Sequence, residues 1–290
     1  MAWFNTAYIW KAFSRLWVLC LGQFGGIIRL LGEVLGAIVS VCRAVKVVCW
    51  DAWAPGLGDK LSWRDWAHGA KLVGSEGRPD LSFIPAMQRR RLSPLNRMAV
   101  SAAHGCLGES QSRVRSIFCS QHGDVNQTTE ILRDIARGED VSPTAFSTSV
   151  HNAGAGLFSV FCENTEASVS LAAGKSTFEA GMTEAWTLLE VGECDQVLLV
   201  VYDEPLPCEY GEFACDVVFP YAAAFLLEKL EPNGAGVSFT KVKKSNSPGR
   251  GGELPHALEF LRFMLSGAEA LTVQDEPWAS HSWQWGKLGG

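Results

Sequence analysis

The stretch from Ser142 to Asp203 constrains the fold more than any other part of the chain. Glu166–Ala172 predicts a strand, Thr177–Leu189 an amphipathic helix and Gln196–Tyr202 a strand without polar alternation. An uninterrupted run of apolar and β-branched residues is typical of a parallel strand covered on both faces. The order predicts an α/β fold in which Lys175 lies in the loop at the carboxyl end of a strand, where functional residues are usually placed.

The remaining elements fit the same fold class. Asn126–Arg137 predicts a helix that ends at Gly138, and Tyr221–Leu230 fits either a strand or a helix. We place the folded domain at residues 47–270 and interpret residues 271–290 as an irregular tail. The other predicted elements are strands at Val47–Ala54, Arg115–Cys119 and, at an edge of the sheet, Val237–Val242, and a closing helix at Pro255–Leu265.

Residues 1–46 form an apolar extension whose composition differs from the rest. Its two longest apolar runs, Leu16–Ile28 and Leu30–Cys42, are each shorter than the roughly 20 residues needed to span a bilayer. Three interpretations stay open: a helix lying on a membrane surface or a partner, a transmembrane hairpin or anchor, and an extension outside the functional fold. We therefore expect a cytoplasmic protein that could associate with the inner membrane.

Charge and cysteine content exclude several classes of function. A net charge of −6 argues against a nucleic-acid-binding protein, which would carry a basic surplus. The nine cysteines include no C-x-x-C pair, so they predict buried thiols in a reducing compartment rather than disulfides or a zinc site. His104 and Cys106 have no third ligand nearby, and we expect neither a metal nor a cofactor.

The sequence Gly174-Lys175-Ser176-Thr177 matches the end of a phosphate-binding P-loop and follows a predicted strand. The motif also needs a glycine five residues before its second glycine, so that backbone N–H groups can surround the phosphates. That position is Val169, inside the predicted strand. ATP or GTP binding at this turn is therefore not expected.

Two segments carry a resemblance to a known family. DLSFIPAMQRRRLSPLNRMA and GEDVSPTAFSTSVHNAGAGLFSV resemble the N-terminal half of the β-ketoacyl synthases. More narrowly, they resemble the short chain-length-factor subunits of bacterial aryl polyene and related acyl-chain pathways, over about residues 47–250. The resemblance implies a thiolase-like layered α/β fold that works as a dimer, with its second half abbreviated to the segment after Asp203.

The resemblance also implies that the catalytic residues of the family are missing. Aligning VSLAAGKSTFEAG with the nucleophile turn of the family places Lys175, or Gly174 one residue away, where a condensing enzyme has its cysteine. The HGT and GHxxGA histidine motifs are also absent. This implies an inactive subunit that pairs with a catalytic ketosynthase and, through the complex, with an acyl carrier protein. Lys175 itself would pair with a carboxylate such as Glu179 or extend into solvent.

The same alignment identifies candidate interface residues. The segment before the nucleophile strand reaches the neighbouring subunit's acyl tunnel in the family, so residues there line the tunnel or pack the dimer core. Asn152 and Gly156 match positions with tight backbone geometry. The candidates for the tunnel or dimer interface are Phe146, Thr148, Val150, Asn152, Gly156 and Phe158.

Arg89, Arg90 and Arg91 form a basic cluster with two interpretations. They are either a solvated helix end or a docking patch for an acidic partner. Two other functions also stay open: a stand-alone acyltransferase with Ser176 or Cys106 as its nucleophile, and a membrane-attached scaffold for the pathway.

Overall fold

The computed structural model describes residues 43–108, 113–213, 217–243, 254–274 and 279–289. Residues 1–42, which make up most of the predicted extension, lie outside the described residues, as do the whole predicted loop at 245–252 and Trp278. Within the described ranges, no helix has the length and apolar character that crossing a membrane requires. The first described strand begins at Arg43, four residues before the predicted domain start.

All eight described strands belong to one mixed sheet, in the order β3-β2-β4-β5-β1-β6-β8-β7. β2, β3 and β4 are parallel, whereas every other neighbouring pair is antiparallel. The segment after Asp203 thus adds four strands to the same sheet. The strands are β1 Arg43–Trp53, β2 Arg115–Cys119, β3 Ser168–Leu171, β4 Gln196–Asp203, β5 Tyr221–Lys229, β6 Gly236–Lys243, β7 Ala270–Gln274 and β8 His281–Leu288.

Helices cover both faces of the sheet, and local sequence sets several of their ends. Ser93 and Asp124 accept hydrogen bonds from backbone N–H groups as N-caps, and Gly138 ends a helix with a φ of 72°. The helices are α1 Lys60–Ala67, α2 Ala86–Arg89, α3 Pro94–Leu107, α4 Val125–Arg137, α5 Pro143–Thr148, α6 Ala153–Phe161, α7 Thr177–Glu190 and α8 His256–Leu265, with a 3₁₀ segment at Cys208–Phe213.

The central strand β4 is buried on both faces, as its apolar run predicts, and so is most of β5, whose sequence fitted either a strand or a helix. Alternate residues of β4 enter two separate hydrophobic clusters, for example Leu199 on one face and Val200 on the other. The first cluster lies under α1, α7 and α8, and the second lies under α3 and α6. The result is a three-layered arrangement of helix, sheet and helix, which holds the carboxyl ends of β2, β3 and β4 together at one edge.

Two sequence expectations for the C-terminal part are wrong. Residues 271–290 are not an irregular tail, because β7 and β8 fall in this range and pair with each other, and β8 also pairs with β6. Trp283 and Trp285 both face the core from β8, where they contact Phe239. The predicted edge strand Val237–Val242 lies inside β6, which has β1 on one side and β8 on the other.

Candidate functional site

The turn between β3 and α7 occupies the position that the sequence comparison assigns to the nucleophile. Gly174 adopts a left-handed conformation with a φ of 58°, which glycine reaches without steric cost. The hydroxyl of Thr177 accepts a hydrogen bond from the Ala173 N–H at 2.9 Å and donates one to the Gly174 carbonyl at 2.6 Å. This turn is therefore held in one conformation by its own residues.

Lys175 is half-buried and lines a small cavity of about 20 Å³. Gln121, Asp203 and His256 also line this cavity, which has room for about one water molecule. Of the two alternatives for Lys175, pairing with Glu179 does not occur among the described ion pairs; the Glu179 carboxylate instead lies 3.0 Å from the Nδ1 atom of His256. An amine here cannot form the acyl thioester of a condensing enzyme.

Glu179 and His256 form a buried pair directly behind this turn. The Glu179 side chain is 0% exposed and that of His256 is 5% exposed. The Nε2 atom of His256 lies 3.1 Å from the Gln274 carbonyl, which can only accept a hydrogen bond. Both ring nitrogens are thus engaged, and the imidazole cannot act as a general base for Lys175 or Ser176. Sequence reasoning missed this contact, because Glu179 and His256 lie 77 positions apart and no local pattern links them.

The carboxyl ends of β2 and β4 are joined by a second polar network. Asp203 is buried and accepts hydrogen bonds at 2.8 Å from the Ser120 hydroxyl and from the Gln121 N–H. The Ser120 hydroxyl accepts from the Gly123 N–H at 2.8 Å, and the Ser120 carbonyl accepts from Nε2 of His151 at 2.9 Å. These contacts fix the backbone beside the turn rather than directing reactive groups into an open pocket.

The two alternative nucleophiles proposed from sequence lack the required environment. The Ser176 hydroxyl accepts a hydrogen bond from the Trp283 indole at 3.1 Å, and His256 is engaged elsewhere. Cys106 is 4% exposed, and its hydrogen bond to Cys49, together with burial, raises the pKa of its thiol above the ordinary range. Burial likewise raises the pKa of Cys119. No group of three or more metal-ligating side chains occurs within the described ranges.

The predicted tunnel segment is divided between surface and core. Phe146 is 65% exposed on α5, and Val150 is 50% exposed just after it. Thr148 anchors the helix, because its hydroxyl accepts a hydrogen bond from Gln127 and its carbonyl accepts one from Asn96. Phe146 and Val150 are therefore available to a partner, whereas Thr148 holds them in place.

Three other residues of this segment do not fit their predicted roles. Phe158 is fully buried and packs against Phe118 in this chain's own core, so it cannot line a partner's tunnel. Asn152 is exposed and has a φ of −87°, and a Cβ at Gly156 would have no neighbour within 4 Å. The close approach occurs at Gly154, where a Cβ would lie 2.8 Å from the Tyr202 hydroxyl.

The basic cluster lies at the end of the short helix α2. The Arg97 guanidinium donates hydrogen bonds to the Arg89 carbonyl at 2.7 Å and to the Leu92 carbonyl at 2.9 Å. Arg89 is half-buried, whereas Arg90 and Arg91 are exposed. The cluster thus ends a helix, as one interpretation predicts, and leaves two cationic side chains in solvent.

An apolar surface borders the β3 end of the sheet. β3 is a terminal strand, so one side of its backbone has no neighbouring strand within the described ranges. Helices α4 and α5 contact each other, as do α6 and β3. We call the exposed side chains on these elements the apolar edge surface; its members are Leu132, Ile135, Phe146, Val150, Val160 and Val169.

Comparison with known proteins identifies the class. Residues 63–286 match the family model described as the β-ketoacyl synthase N-terminal domain. The chain therefore belongs to the β-ketoacyl synthase family, and its fold is the thiolase-like fold of ketosynthases. No protein among the curated sequences matches the chain.

Solved structures add more specific similarities. The chain is 30% identical to a chain in the complex of the ketosynthase ApeO with its chain length factor ApeC from Xenorhabdus doucetiae, with a TM-score of 0.72 over 84% of this chain and 99% of that one. The ishigamide ketosynthase/chain length factor matches at 12% identity, with a TM-score of 0.63 over 85% of this chain and 100% of that one. At that identity the second match shows the fold alone.

Proposed function

We propose that this chain is a catalytically inactive ketosynthase-like subunit of the chain-length-factor type. It pairs with an active β-ketoacyl-acyl-carrier-protein synthase and shapes the acyl tunnel of that partner. The pathway class is fatty-acid- or polyketide-type chain assembly, with aryl polyenes as the product class. The observation that carries the proposal is that the turn between β3 and α7, which the resemblance aligns with the family's nucleophile, contains no cysteine.

The polar groups around that turn support the absence of catalysis by the isolated chain. Decarboxylative condensation needs a nucleophile and groups that stabilise developing charge. Here the imidazole of His256 faces Glu179 and the Gln274 carbonyl, and Asp203 accepts from its own neighbours. His256 and Asp203 are thus engaged within the protein and are not directed at a substrate.

The apolar edge surface supports pairing with a second subunit. Exposed apolar side chains and a terminal strand with one unpaired side are both typical of a protein–protein interface. The relative with 30% identity belongs to a complex of a ketosynthase with its chain length factor. The partner we propose is therefore a full ketosynthase that covers β3 and α5.

Phe146 is the residue we propose to limit chain length. It is a large exposed side chain, held in position because Thr148 fixes the end of its helix. A phenyl ring projecting into an apolar tunnel would stop a growing chain, because overpacking a tight apolar site costs about 1–3 kcal/mol. The acyl carrier protein would be recruited by the assembled pair, with Arg90 and Arg91 as candidate contacts for its acidic surface.

Reconstitution tests the proposal. The chain is purified alone and also co-expressed with a full-length ketosynthase, and each preparation is incubated with acyl thioesters and a malonyl carrier protein. The Phe146→Ala variant is prepared and assayed in the same way. We expect no acylation of the isolated chain, a stable heterodimer, and longer products from the variant pair. Leu61→Ala is the matched control, since Leu61 is 67% exposed on α1, on the opposite face of the sheet.

Other outcomes would contradict specific parts of the proposal. Covalent acylation of the isolated chain would indicate a stand-alone acyltransferase and would end the assignment as an inactive subunit. Recovery on vesicles without binding to any ketosynthase would indicate a scaffold. A stable heterodimer whose product length is the same with Phe146→Ala and Leu61→Ala would remove the role in chain length and retain the pairing.

A further inference from the structure

Two thiols lie against each other on the face of the sheet opposite the β3–α7 turn and its helix α7. Cys49 is half-buried on β1, next to an irregularity in the pairing of β1 with β5 between Val47 and Cys49. Cys106, on α3, is buried in the hydrophobic cluster against which Cys49 packs, and its thiol interacts with the Cys49 sulfur. Gly105 allows this proximity, because a Cβ there would lie 2.1 Å from an Asp51 carboxylate oxygen.

Charged groups around the pair favour a thiolate on Cys49. The Lys60 ammonium lies 3.9 Å from the Cys49 sulfur and 5.7 Å from the centre of the Trp50 ring. The hydrogen bond from Cys106 lowers the pKa of Cys49 most, and Lys60 contributes further, to about 6 against an ordinary value of 9.0. Asp51, an acidic residue near the pair, would oppose a thiolate when ionised, and burial raises the pKa of its carboxyl to about 6.

We propose that Cys49 and Cys106 form a peroxide-reactive thiol pair, in which Cys49 is the attacking thiol and Cys106 the resolving thiol. The inference does not depend on the proposed function, since the pair lies apart from the turn and from the apolar edge surface. The oxidised product links β1 to α3 by a disulfide. No sequence motif indicates this pair, because the two cysteines lie 57 positions apart.

The chemistry balances with hydrogen peroxide as the oxidant. The Cys49 thiolate attacks one peroxide oxygen, the O–O bond breaks, and the departing hydroxide takes a proton and leaves as water, giving a sulfenic acid. The Cys106 sulfur then attacks the sulfenic sulfur, the S–O bond breaks, and the hydroxyl leaves with the Cys106 proton as a second water. Two thiols and one peroxide thus give one disulfide and two waters, and a dithiol reductant reverses the process.

The chain contains its own control thiols. Burial raises the pKa of Cys162 to about 11, and burial also raises the pKa of Cys194. Neither has a lysine within hydrogen-bonding distance among the described contacts, so both should react slowly. They allow the reactivity of Cys49 to be measured against other half-buried thiols in the same sample.

The first experiment measures alkylation of the full chain by iodoacetamide at pH 6.5, with peptide mass spectrometry as readout. A thiol with a pKa of 6 has roughly 200 times the thiolate fraction of one with a pKa of 9 at this pH. A thiolate of such low pKa is about 20-fold less nucleophilic, so we expect Cys49 to react about tenfold faster than Cys194. Lys60→Gln should reduce this advantage, whereas the exposed Lys71→Gln should not.

The second experiment treats the full chain with hydrogen peroxide. We expect a linked Cys49–Cys106 peptide that dithiothreitol releases. In Cys106→Ser, which keeps a hydrogen-bond donor beside Cys49, we expect a sulfenic acid on Cys49 that dimedone traps. Cys106→Ala removes that donor and should therefore slow the oxidation of Cys49. The proposal is overturned if Cys49 is alkylated no faster than Cys194, or if peroxide oxidises the other cysteines and leaves Cys49 and Cys106 unlinked.

Discussion

Replacing Glu179 and His256 tests whether this buried pair is structural. Removing one partner leaves a buried charged or polar group unpaired, which costs about 3–5 kcal/mol. For a folded unit of this size, 1 kcal/mol corresponds to about 2–4 °C, so we expect Glu179→Met or His256→Leu alone to lower the melting temperature by about 6–20 °C. The contact is direct, at 3.0 Å and with no more than 5% exposure, so the full effect should be visible.

The double variant Glu179→Met, His256→Leu should recover most of this loss. A buried ion pair replaced by apolar residues of similar volume is often neutral in stability or better, and only the Gln274 carbonyl loses its donor. We expect the double variant to lie within about 2 kcal/mol of the parent, giving a coupling energy of about 4 kcal/mol or more. The assay is thermal unfolding of all four proteins, followed by condensation assays with the ketosynthase partner.

Two results would refute this reasoning. If the double variant is destabilised by the sum of the two single effects, the residues do not stabilise each other. If the double variant is stable and binds the ketosynthase, yet the resulting heterodimer no longer condenses acyl groups, then His256 takes part in the chemistry. We expect the heterodimer that contains the double variant to retain its condensing activity.

Three further predictions use other parts of the structure. Gly181→Ala should destabilise the chain by about 1–3 kcal/mol in chemical denaturation, because its Cβ would lie 2.5 Å from the Cys119 sulfur. The matched control is Gly156→Ala, which lies in open space within α6 and should stabilise the chain by about 0.5–1 kcal/mol. Burial raises the pKa of Glu204 from 4.5 to about 7, so folding binds a proton and stability falls as pH rises between these values. In Glu204→Gln, the free energy of unfolding should fall less as pH rises, with a difference from the parent's fall of up to about 3 kcal/mol by pH 8; denaturation curves measured across pH check this. Lys175→Cys should be alkylated by iodoacetamide but should not accept an acyl group in a labelling assay.

The regular elements could be predicted from the sequence because their signals are local. The β4 run is apolar on both faces, and the α4 helix has an N-cap at Asp124 and a glycine at its end. The C-terminal strands were missed because β8 is defined by pairing with β6, about 45 residues earlier. Its local signal, Trp283 and Trp285 two residues apart, is too short to separate a strand from a loop.

The candidate site was predictable only where resemblance supplied a position. Resemblance located the turn at Lys175 and the segment from Phe146 to Phe158, but it did not show which side of each helix faces solvent. Phe158 lies on the buried side of α6 and Val160 on the exposed side, although they are two residues apart. Contacts between distant residues, such as the one between Glu179 and His256, have no signature in a single sequence.

The polar residues at the turn indicate why one substitution should not create a condensing enzyme. A cysteine at position 175 would lie at the amino end of α7, where the helix dipole favours a thiolate by about 0.3–1 kcal/mol. Condensation also needs donors directed at the thioester oxygen and at the malonyl carboxylate, held in place before the reaction. The two ring nitrogens of His256 already contact Glu179 and the Gln274 carbonyl, and freeing the ring would leave the buried Glu179 carboxyl group without this partner. Stability therefore requires His256 to stay bound to Glu179, whereas catalysis would require it to face the substrate. A thiol at position 175 should for this reason be reactive without being catalytic.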